Sequence, residues 1–310
     1  MTMNPLRRKV AVAIDGGGIR GVIAAKALAV VEKHLGKPIR NIAGLVAGTS
    51  TGSIISGGIA SGLSAQDILD LYLELGEAVF RKTARSYLWL LMRHRYSGAP
   101  LQKALRENYG ERKLGDFWRD RPRIDLVIVV RDLVENRTRF LKPWKPEYAD
   151  WPLWKAVLAS STVPTYFPVV DGRYVDGGVG SYANPCYLAA YEAAFCLGWK
   201  APDTTLISIG TGRVASTIRP GQASRFLPWQ WLNPVLDAFM ADANDQQVHL
   251  VHQFFRQVDF RRFQLDIQPI PLDDPYRMPL LLEYGERLGQ MILENQEDQA
   301  PLAPASRPPR

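Results

Sequence analysis

The feature that most constrains this 310-residue chain is the pentapeptide Gly48-Thr49-Ser50-Thr51-Gly52. The apolar run 42–47 before it predicts a short buried strand, and the run 54–60 after it predicts a close-packed helix. Gly-x-Ser-x-Gly at a strand-to-helix junction is typical of a nucleophile elbow, where glycines remove Cβ atoms that would clash in a tight turn. Ser50 would then lie at the first turn of a helix, which favours a developing alkoxide. A glycine-rich turn with a capping serine gives the same pattern, so the rest of the chain has to decide.

Predicted buried strands alternate with predicted helices along most of the chain. The strands are expected at 9–14, 42–47, 124–130, 138–141 and 205–209, and the longer helices at 22–34, 64–80, 151–160 and 241–255. This alternation predicts an α/β fold with a mostly parallel sheet, whose ligands bind beyond the carboxyl ends of the strands. We expect the residues that follow such ends to converge, namely Asp15, Gly18, Ser50, Asp176 and Gly210.

A second glycine-rich loop, Asp15-Gly16-Gly17-Gly18-Ile19-Arg20-Gly21, joins the first strand to the first helix. Its Gly-x-Gly-x-x-Gly spacing also fits a dinucleotide-binding loop, so a nucleotide-binding module is an alternative. Against that reading, no acidic residue follows the second strand to hold a ribose, and Asp15 would face the pyrophosphate. Bared N–H groups at a helix N-terminus instead favour an anion hole for the oxyanion of a tetrahedral intermediate.

A serine nucleophile needs a base, and the four histidines are poorly placed to be one. None of them follows a strand end beside a turn, and His249 and His252 fall within a helical pattern. Asp176 is the better candidate, because it ends a predicted strand and precedes two glycines. It could act as a direct base in a Ser–Asp dyad if burial raised its pKa. An aspartate before Gly-Gly is also a common turn former.

Three blocks of this chain resemble the signature blocks of the patatin-like phospholipase family, in the same order and at similar spacing. They are the loop from Asp15 to Gly21, the elbow from Gly48 to Gly52, and Asp176-Gly177-Gly178. Lesser similarity at 159–168, 208–212 and 231–255 extends the resemblance over roughly residues 9 to 265. The resemblance implies a three-layer α/β/α fold and hydrolysis of acyl esters in phospholipids or related lipids, with no cofactor and no essential metal.

The resemblance also implies roles for individual residues. Ser50 would be the nucleophile, and Asp176 the base and then the acid that protonates the leaving group. Arg20 would position the glycine loop or meet a substrate phosphate. The implied oxyanion-hole donors are Gly16, Gly17 and Gly18. The chain departs from the family at 181–185, where many members carry paired asparagines before the proline. Some bacterial members are effectors switched on by cyclic nucleotides, which is an alternative function.

The net charge of +7 suits a partner with phosphate groups, either nucleic acid or anionic lipid, although a basic surface can also simply keep a protein soluble. With the resemblance, we expect a phospholipid or other acyl-ester lipid as partner and no nucleic-acid polymer. The basic, aromatic-rich segment 81–96 fits either a lipid-interface helix or an ordinary packed helix. We expect it to form a rim or partial lid over the pocket.

Sequence composition favours one catalytic domain over residues 1–300, followed by a disordered Pro-rich tail at 301–310. No apolar run approaches the ~20 residues of a membrane span. Cys186 and Cys196 lie too far apart on one helical pattern for a disulfide, and they predict buried thiols in a reducing compartment. We therefore expect a cytoplasmic protein that can associate peripherally with the inner face of the membrane.

Overall fold

The computed structural model describes residues 4–81, 93–121 and 123–298, in which strands and helices alternate. The strands are β1 (Lys9–Ile14), β2 (Leu45–Thr49), β3 (Asp125–Asp132), β4 (Arg137–Leu141), β5 (Tyr174–Asp176), β6 (Thr204–Ile209), β7 (Arg213–Val214), β8 (Asp259–Phe263) and β9 (Asp266–Ile267). The helices are α1 (Gly21–Leu35), α2 (Thr51–Ser61), α3 (Ala65–Val79), α4 (Ala99–Tyr109), α5 (Leu114–Arg119), α6 (Pro146–Ala149), α7 (Leu153–Ser160), α8 (Cys186–Tyr191), α9 (Leu232–Phe254) and α10 (Met278–Leu293). Most of the predicted 81–96 segment, and all of the tail 301–310, lie outside the described residues.

The central sheet has the order β4-β3-β2-β1-β6-β8. Strands β3, β2, β1, β6 and β8 run parallel to one another, whereas β4 and β5 both pair antiparallel with β3. Parallel strands are covered on both faces, which explains why runs such as Val10–Ile14 are continuously apolar rather than alternating. The predicted α/β fold with a mostly parallel sheet is confirmed.

Helices cover both faces of the sheet in three layers. Along β1, Val10, Val12 and Ile14 face one side and join a core with α1, α2, α3, α4, α7 and α10. Ala11 and Ala13 face the other side and pack with residues of α8 and α9. The three-layer α/β/α arrangement is therefore confirmed. The single domain over 1–300 stays a prediction.

Two details differ from the sequence expectations. Helix α10 carries a buried apolar face against α1 but lies beyond the region of family resemblance, and no motif predicted it. Cys196 is exposed, so the prediction of two buried thiols is wrong for this residue. After α8 the chain continues as a π-helix, Glu192–Cys196, whose end reaches solvent. None of the described helices is both long and apolar enough to span a membrane.

Candidate active site

Ser50 lies at the tight turn between β2 and α2. Its backbone has φ 55° and ψ −125°, a conformation that a non-glycine residue adopts only under strain. A Cβ at Gly48 would come within 2.2 Å of the Gly52 carbonyl oxygen, and a Cβ at Gly52 within 2.1 Å of the Ile14 carbonyl oxygen. The two glycines of Gly-x-Ser-x-Gly are thus required by the close approach of α2 to the ends of β1 and β2.

Serines at the end of α7 hold this strained turn in place. The Ser50 N–H donates to Oγ of Ser160 at 2.9 Å, and the Ser160 hydroxyl donates to the Val129 carbonyl at 2.6 Å. The Ser50 carbonyl accepts from the hydroxyls of Ser53 at 2.6 Å and Ser161 at 3.1 Å. These bonds fasten the elbow to β3. Sequence reasoning assigned no role to Ser160 and Ser161, although they lie in a block that resembles the family.

Strand β5 brings Asp176 to the elbow. Strand β4 occupies one edge of β3 over Ile128–Asp132, so β5, which pairs with the same part of β3, must lie on the edge that β2 uses. Thr49 at the end of β2 is opposite Val129, and Asp176 at the end of β5 is opposite the next residue, Val130. The two strands therefore meet end to end along β3, and Ser50 and Asp176 become neighbours although 126 positions separate them.

The Asp176 carboxylate is buried and only partly satisfied. Oδ1 accepts a hydrogen bond from the Gly178 N–H at 2.7 Å. Oδ2 is buried without a hydrogen bond of good geometry from any described residue, although the nearby Ser50 hydroxyl interacts with the carboxylate. Burial is the largest effect and raises the pKa of Asp176 to about 7, while the Ser50 hydroxyl and the Gly178 N–H oppose it. Near neutral pH the group can therefore both accept and return a proton.

The glycine loop lies directly beside Ser50. A Cβ at Gly16 would be 3.2 Å from Cβ of Ser50. The Gly16 N–H already donates to the Ala183 carbonyl at 2.8 Å, which argues against Gly16 as an oxyanion donor. Among the described residues, the N–H groups of Gly17 and Gly18 have no acceptor. Gly18 has φ +57°, the left-handed conformation that lets the chain turn from β1 into the helix.

Arg20 is buried and contacts this loop. Its Nε donates to the Gly17 carbonyl at 3.4 Å, and its backbone N–H donates to the same oxygen at 3.1 Å. Of the two predicted roles, these contacts support positioning of the loop. Contact with a substrate phosphate stays a prediction.

Asp15, at the start of the loop, is held by a residue that sequence reasoning missed. Arg262 of β8 donates to both carboxylate oxygens of Asp15, at 3.0 and 2.5 Å, and to Oγ of Ser208 at 2.8 Å. Both charged side chains are buried. Arg262 lies far from the glycine loop in the sequence and outside any motif, so only the pairing of β6 with β8 reveals it.

An apolar pocket opens beside Ser50. It encloses about 580 Å³, a volume that includes its opening to solvent. Its wall is mostly aliphatic and aromatic and includes Ile54, Leu75, Phe80, Leu101, Phe167 and Leu272. The pocket suits an apolar group attached to whatever reacts at Ser50.

The loop before α10 ties the pocket wall to the glycine loop. The Asp273 carboxylate accepts from Arg95 and from the Tyr96 hydroxyl, each at 2.8 Å. The adjacent Leu272 lines the pocket, and its carbonyl accepts from the Ile19 N–H at 2.9 Å. Sequence reasoning missed Asp273. The described end of segment 81–96 thus lies at the pocket wall, whereas the predicted lid itself lies outside the described residues.

The positions of the histidines, and of the residue types that bind metal ions, bear on which chemistry the site can perform. His249 and His252 both lie on α9, where the exposed His252 packs edge-on against the Phe260 ring at 5.0 Å. In residues 4–81, 93–121 and 123–298, no cluster of three or more His, Cys, Asp or Glu side chains is arranged to hold a metal ion.

A serine on a strained elbow, a buried aspartate beside it and an adjacent glycine loop, all at the carboxyl edge of a parallel sheet, characterise an α/β protein of the nucleophile-elbow class. The family model for patatin-like phospholipases matches residues 12–190, more than half of the chain. The chain belongs to the patatin-like phospholipase family.

Individual relatives differ in how much of their length the chain spans. An intracellular phospholipase A2 of Caenorhabditis elegans is 30% identical over 224 residues, which cover 67% of this chain but only 20% of the relative. A cGAMP-activated phospholipase of Pseudomonas aeruginosa is 26% identical over 269 residues, which cover 84% of this chain and 78% of the relative. The structure of VipD from Legionella pneumophila superposes with a TM-score of 0.48 at 13% identity, covering 94% of this chain and 67% of that one.

Proposed function

We propose that the protein is a lipid acyl hydrolase of the phospholipase A or lysophospholipase type that cleaves acyl esters through a Ser50–Asp176 dyad. Membership of the patatin-like phospholipase family supports a lipid substrate. The observation that carries the proposal is the end-to-end meeting of β2 and β5, which sets Ser50 beside a buried carboxylate with a pKa of about 7.

In the proposed reaction, Asp176 accepts the hydroxyl proton of Ser50 while Oγ attacks the ester carbonyl carbon. The negative charge that develops on the carbonyl oxygen accepts hydrogen bonds from the N–H groups of Gly17 and Gly18. Collapse of the tetrahedral intermediate breaks the ester bond, and protonated Asp176 gives its proton to the leaving alcohol. A water molecule, deprotonated by Asp176, then attacks the acyl-Ser50 ester, and Ser50 regains its proton as the fatty acid leaves.

The pocket supports an acyl chain rather than a polar headgroup as the group bound next to Ser50. Its lining from α2, α3 and α4 is mostly apolar, and burial of each methylene contributes about 0.8 kcal/mol. The side chains of Thr51 and Tyr72 in the pocket wall contact each other, and the Tyr72 hydroxyl also donates to the Thr51 carbonyl at 2.9 Å. These polar groups are therefore hydrogen-bonded within the wall.

The test is release of fatty acid from phospholipid vesicles, and of p-nitrophenol from esters of graded chain length, by wild type and Ser50→Ala. We expect Ser50→Ala to lower the rate at least about 10³-fold with an unchanged melting temperature. The matched control is Ser56→Ala in α2, the helix that follows the elbow, because the buried Ser56 hydroxyl has no partner among the described residues. Hydrolysis by Ser50→Ala at the wild-type rate would refute the proposal.

A second candidate is an effector that hydrolyses lipid only after a cyclic nucleotide binds. It is supported by the relative named cGAMP-activated phospholipase, of which this chain spans 78%. If wild type is silent on vesicles until cGAMP is added, this version of the function holds. A thermal shift produced by NAD, without any esterase activity, would instead support a nucleotide-binding module on the glycine loop. The cytoplasmic location stays a prediction.

A further inference from the structure

The segment between β7 and α9, residues 215–231, forms an exposed surface of its own. Its hydrogen bonds with described residues all stay within the segment, as when the Arg219 N–H donates to Oε1 of Gln222 and the Leu227 N–H to Oε1 of Gln230. The aromatic pair Phe226 and Trp231 packs edge to face at 5.4 Å. The segment therefore has local hydrogen bonds of its own and no hydrogen bond to the rest of the described protein.

Apolar and basic side chains share this surface without acidic ones. Leu227 is 50% exposed, Trp231 44% and Val235, in the first turn of α9, 42%. Arg219 and Arg225 are exposed beside them. No Asp or Glu occurs between Asp203 and Asp237. Tryptophan and leucine occur in one segment with arginines that form no ion pair with a described residue. This combination matches the chemistry of a bilayer interface, where rings sit at the headgroup level and arginines meet lipid phosphates.

The geometry places this surface on the same side of the molecule as Ser50. Helix α9 packs on the sheet through Val248 and Val251. The Gln247 side chain donates to the Ser181 carbonyl at 2.7 Å, close to the Asp176 loop at the carboxyl edge. At 1.5 Å per residue, the turns of α9 before Gln247 are about 20 Å long, and they lie on the side of Gln247 away from Val248 and Val251. The exposed segment and the reactive serine therefore project from the same edge of the sheet.

We propose that residues 215–235 form a docking surface for an anionic phospholipid bilayer, with Leu227 and Trp231 inserted at the interface and Arg219 and Arg225 on the lipid phosphates. The proposal rests on the proposed lipid hydrolase function, since it brings the reactive edge to the substrate's own bilayer. An anionic bilayer fits this surface by charge, because the segment from Thr204 to Val235 contains arginines and no Asp or Glu.

The molecule provides a matched control surface at its opposite edge. Phe195 and Phe254 are each 70% exposed, and Phe195 packs on Phe255 at 6.2 Å, just before the chain enters β8. The first residue of β8, Asp259, pairs with Thr205 at the amino end of β6. A bilayer bound at this edge would leave Ser50 pointing away from the lipid.

The experiment is co-sedimentation of the full chain with vesicles of phosphatidylcholine alone and of phosphatidylcholine with phosphatidylglycerol. All proteins carry Ser50→Ala so that the vesicles are not consumed. We expect Leu227→Ser/Trp231→Ser to lower partitioning onto both kinds of vesicle at least tenfold, because the inserted apolar area is lost. We expect Arg219→Gln/Arg225→Gln to lower partitioning about 25-fold on the anionic vesicles only, at roughly fivefold per arginine.

The control pair Phe195→Ser/Phe254→Ser should bind anionic vesicles within twofold of the parent. Equal losses from this pair, or vesicle binding that none of the variants changes, would overturn the docking surface. With Ser50 restored, the ratio of vesicle hydrolysis to p-nitrophenyl butyrate hydrolysis should fall for the Leu227 and Trp231 pair. Loss of vesicle binding in a protein that is inactive on both substrates would support docking while refuting the proposed reaction.

Discussion

Asp15 and Asp176 are two buried carboxylates at the same edge of the sheet, and they differ in what surrounds them. Both oxygens of Asp15 accept from the guanidinium of Arg262. Asp176 has one N–H donor, from Gly178, and an Oδ2 that only the Ser50 hydroxyl approaches among the described residues. Burial raises the pKa of both, but at Asp15 the positive charge of Arg262 opposes it. The two sites therefore differ in their partners: a cation binds both oxygens of Asp15, whereas Oδ2 of Asp176 has no hydrogen bond of good geometry from a described residue.

The first prediction tests whether Asp176, and not Asp15, acts as the base in lipid hydrolysis. Asp176→Asn removes the proton acceptor and should lower lipid hydrolysis about 10³-fold, a typical contribution of a general base, without loss of the fold. Fatty-acid release from vesicles measures it. The comparison variant is Asp15→Asn, which should lose stability rather than chemistry. An equal loss of rate in a folded Asp15→Asn protein would show that the two carboxylates do not divide their roles in this way.

The second prediction concerns the paired carboxylate. Arg262→Met leaves the Asp15 charge buried and uncompensated, and it should destabilise the protein by about 3–5 kcal/mol. Urea unfolding measures the effect. The double variant Asp15→Asn/Arg262→Met should recover part of the loss, because no buried charge remains. A single variant as stable as wild type would mean that the ion pair does not hold the glycine loop.

The third prediction uses pH to separate stability from activity at Asp176. The folded pKa is about 7 and the unfolded value is 3.8, so between these values the folded protein holds the extra proton. The Asp176 carboxyl therefore lowers the free energy of unfolding as pH rises from about 4 to about 7. Above pH 7 this loss of stability is complete. Asp176→Asn should be more stable than wild type at pH 8, by up to a few kcal/mol, and equal to it near pH 4.

Melting temperatures of both proteins from pH 4 to pH 9 measure this difference. Wild-type hydrolysis should rise through pH 7 as Asp176 loses its proton. If the melting temperatures of the two proteins differed by the same amount at every pH, the result would contradict a raised pKa at Asp176.

The fourth and smallest effect concerns Asp273, a third buried carboxylate, which pairs with Arg95 near the pocket wall. Asp273→Asn keeps an acceptor for the Tyr96 hydroxyl but loses the charge, so we expect kcat/KM to fall severalfold, about 1 kcal/mol. The change should appear mainly in KM for long-chain esters, because Leu272 lines the pocket. Asp274→Asn, which affects the bond to the Tyr276 N–H and the long ion pair with Arg277 at 3.9 Å, is the control. Equal effects of the two variants would assign Asp273 a merely local role.

The glycine-rich turns were the most predictable part of the site. A Cβ at Gly48 would meet Gly52 inside the same pentapeptide, so this part of the turn depends on local sterics, whereas a Cβ at Gly52 would meet Ile14 at the end of β1. The alternation of apolar strands such as Val10–Ile14 with helices predicted the mostly parallel sheet. Arg262, Ser160 and Asp273 could not be predicted in the same way, because each acts on a partner that is distant in the chain.

By itself, the sequence determined the elbow, the glycine loop, the order of the strands along the chain and the resemblance to a family. Those properties depend on local sterics and on hydrophobic periodicity, which each segment carries with it. Only the tertiary structure decided which carboxylate is paired and which is left to react. That choice depends on the spatial order of the strands: β8 beside β6 delivers Arg262 to Asp15, whereas β5 in line with β2 delivers Asp176 to Ser50 without a cation. The desolvation that raises the pKa of Asp176 exists only once those strands have assembled.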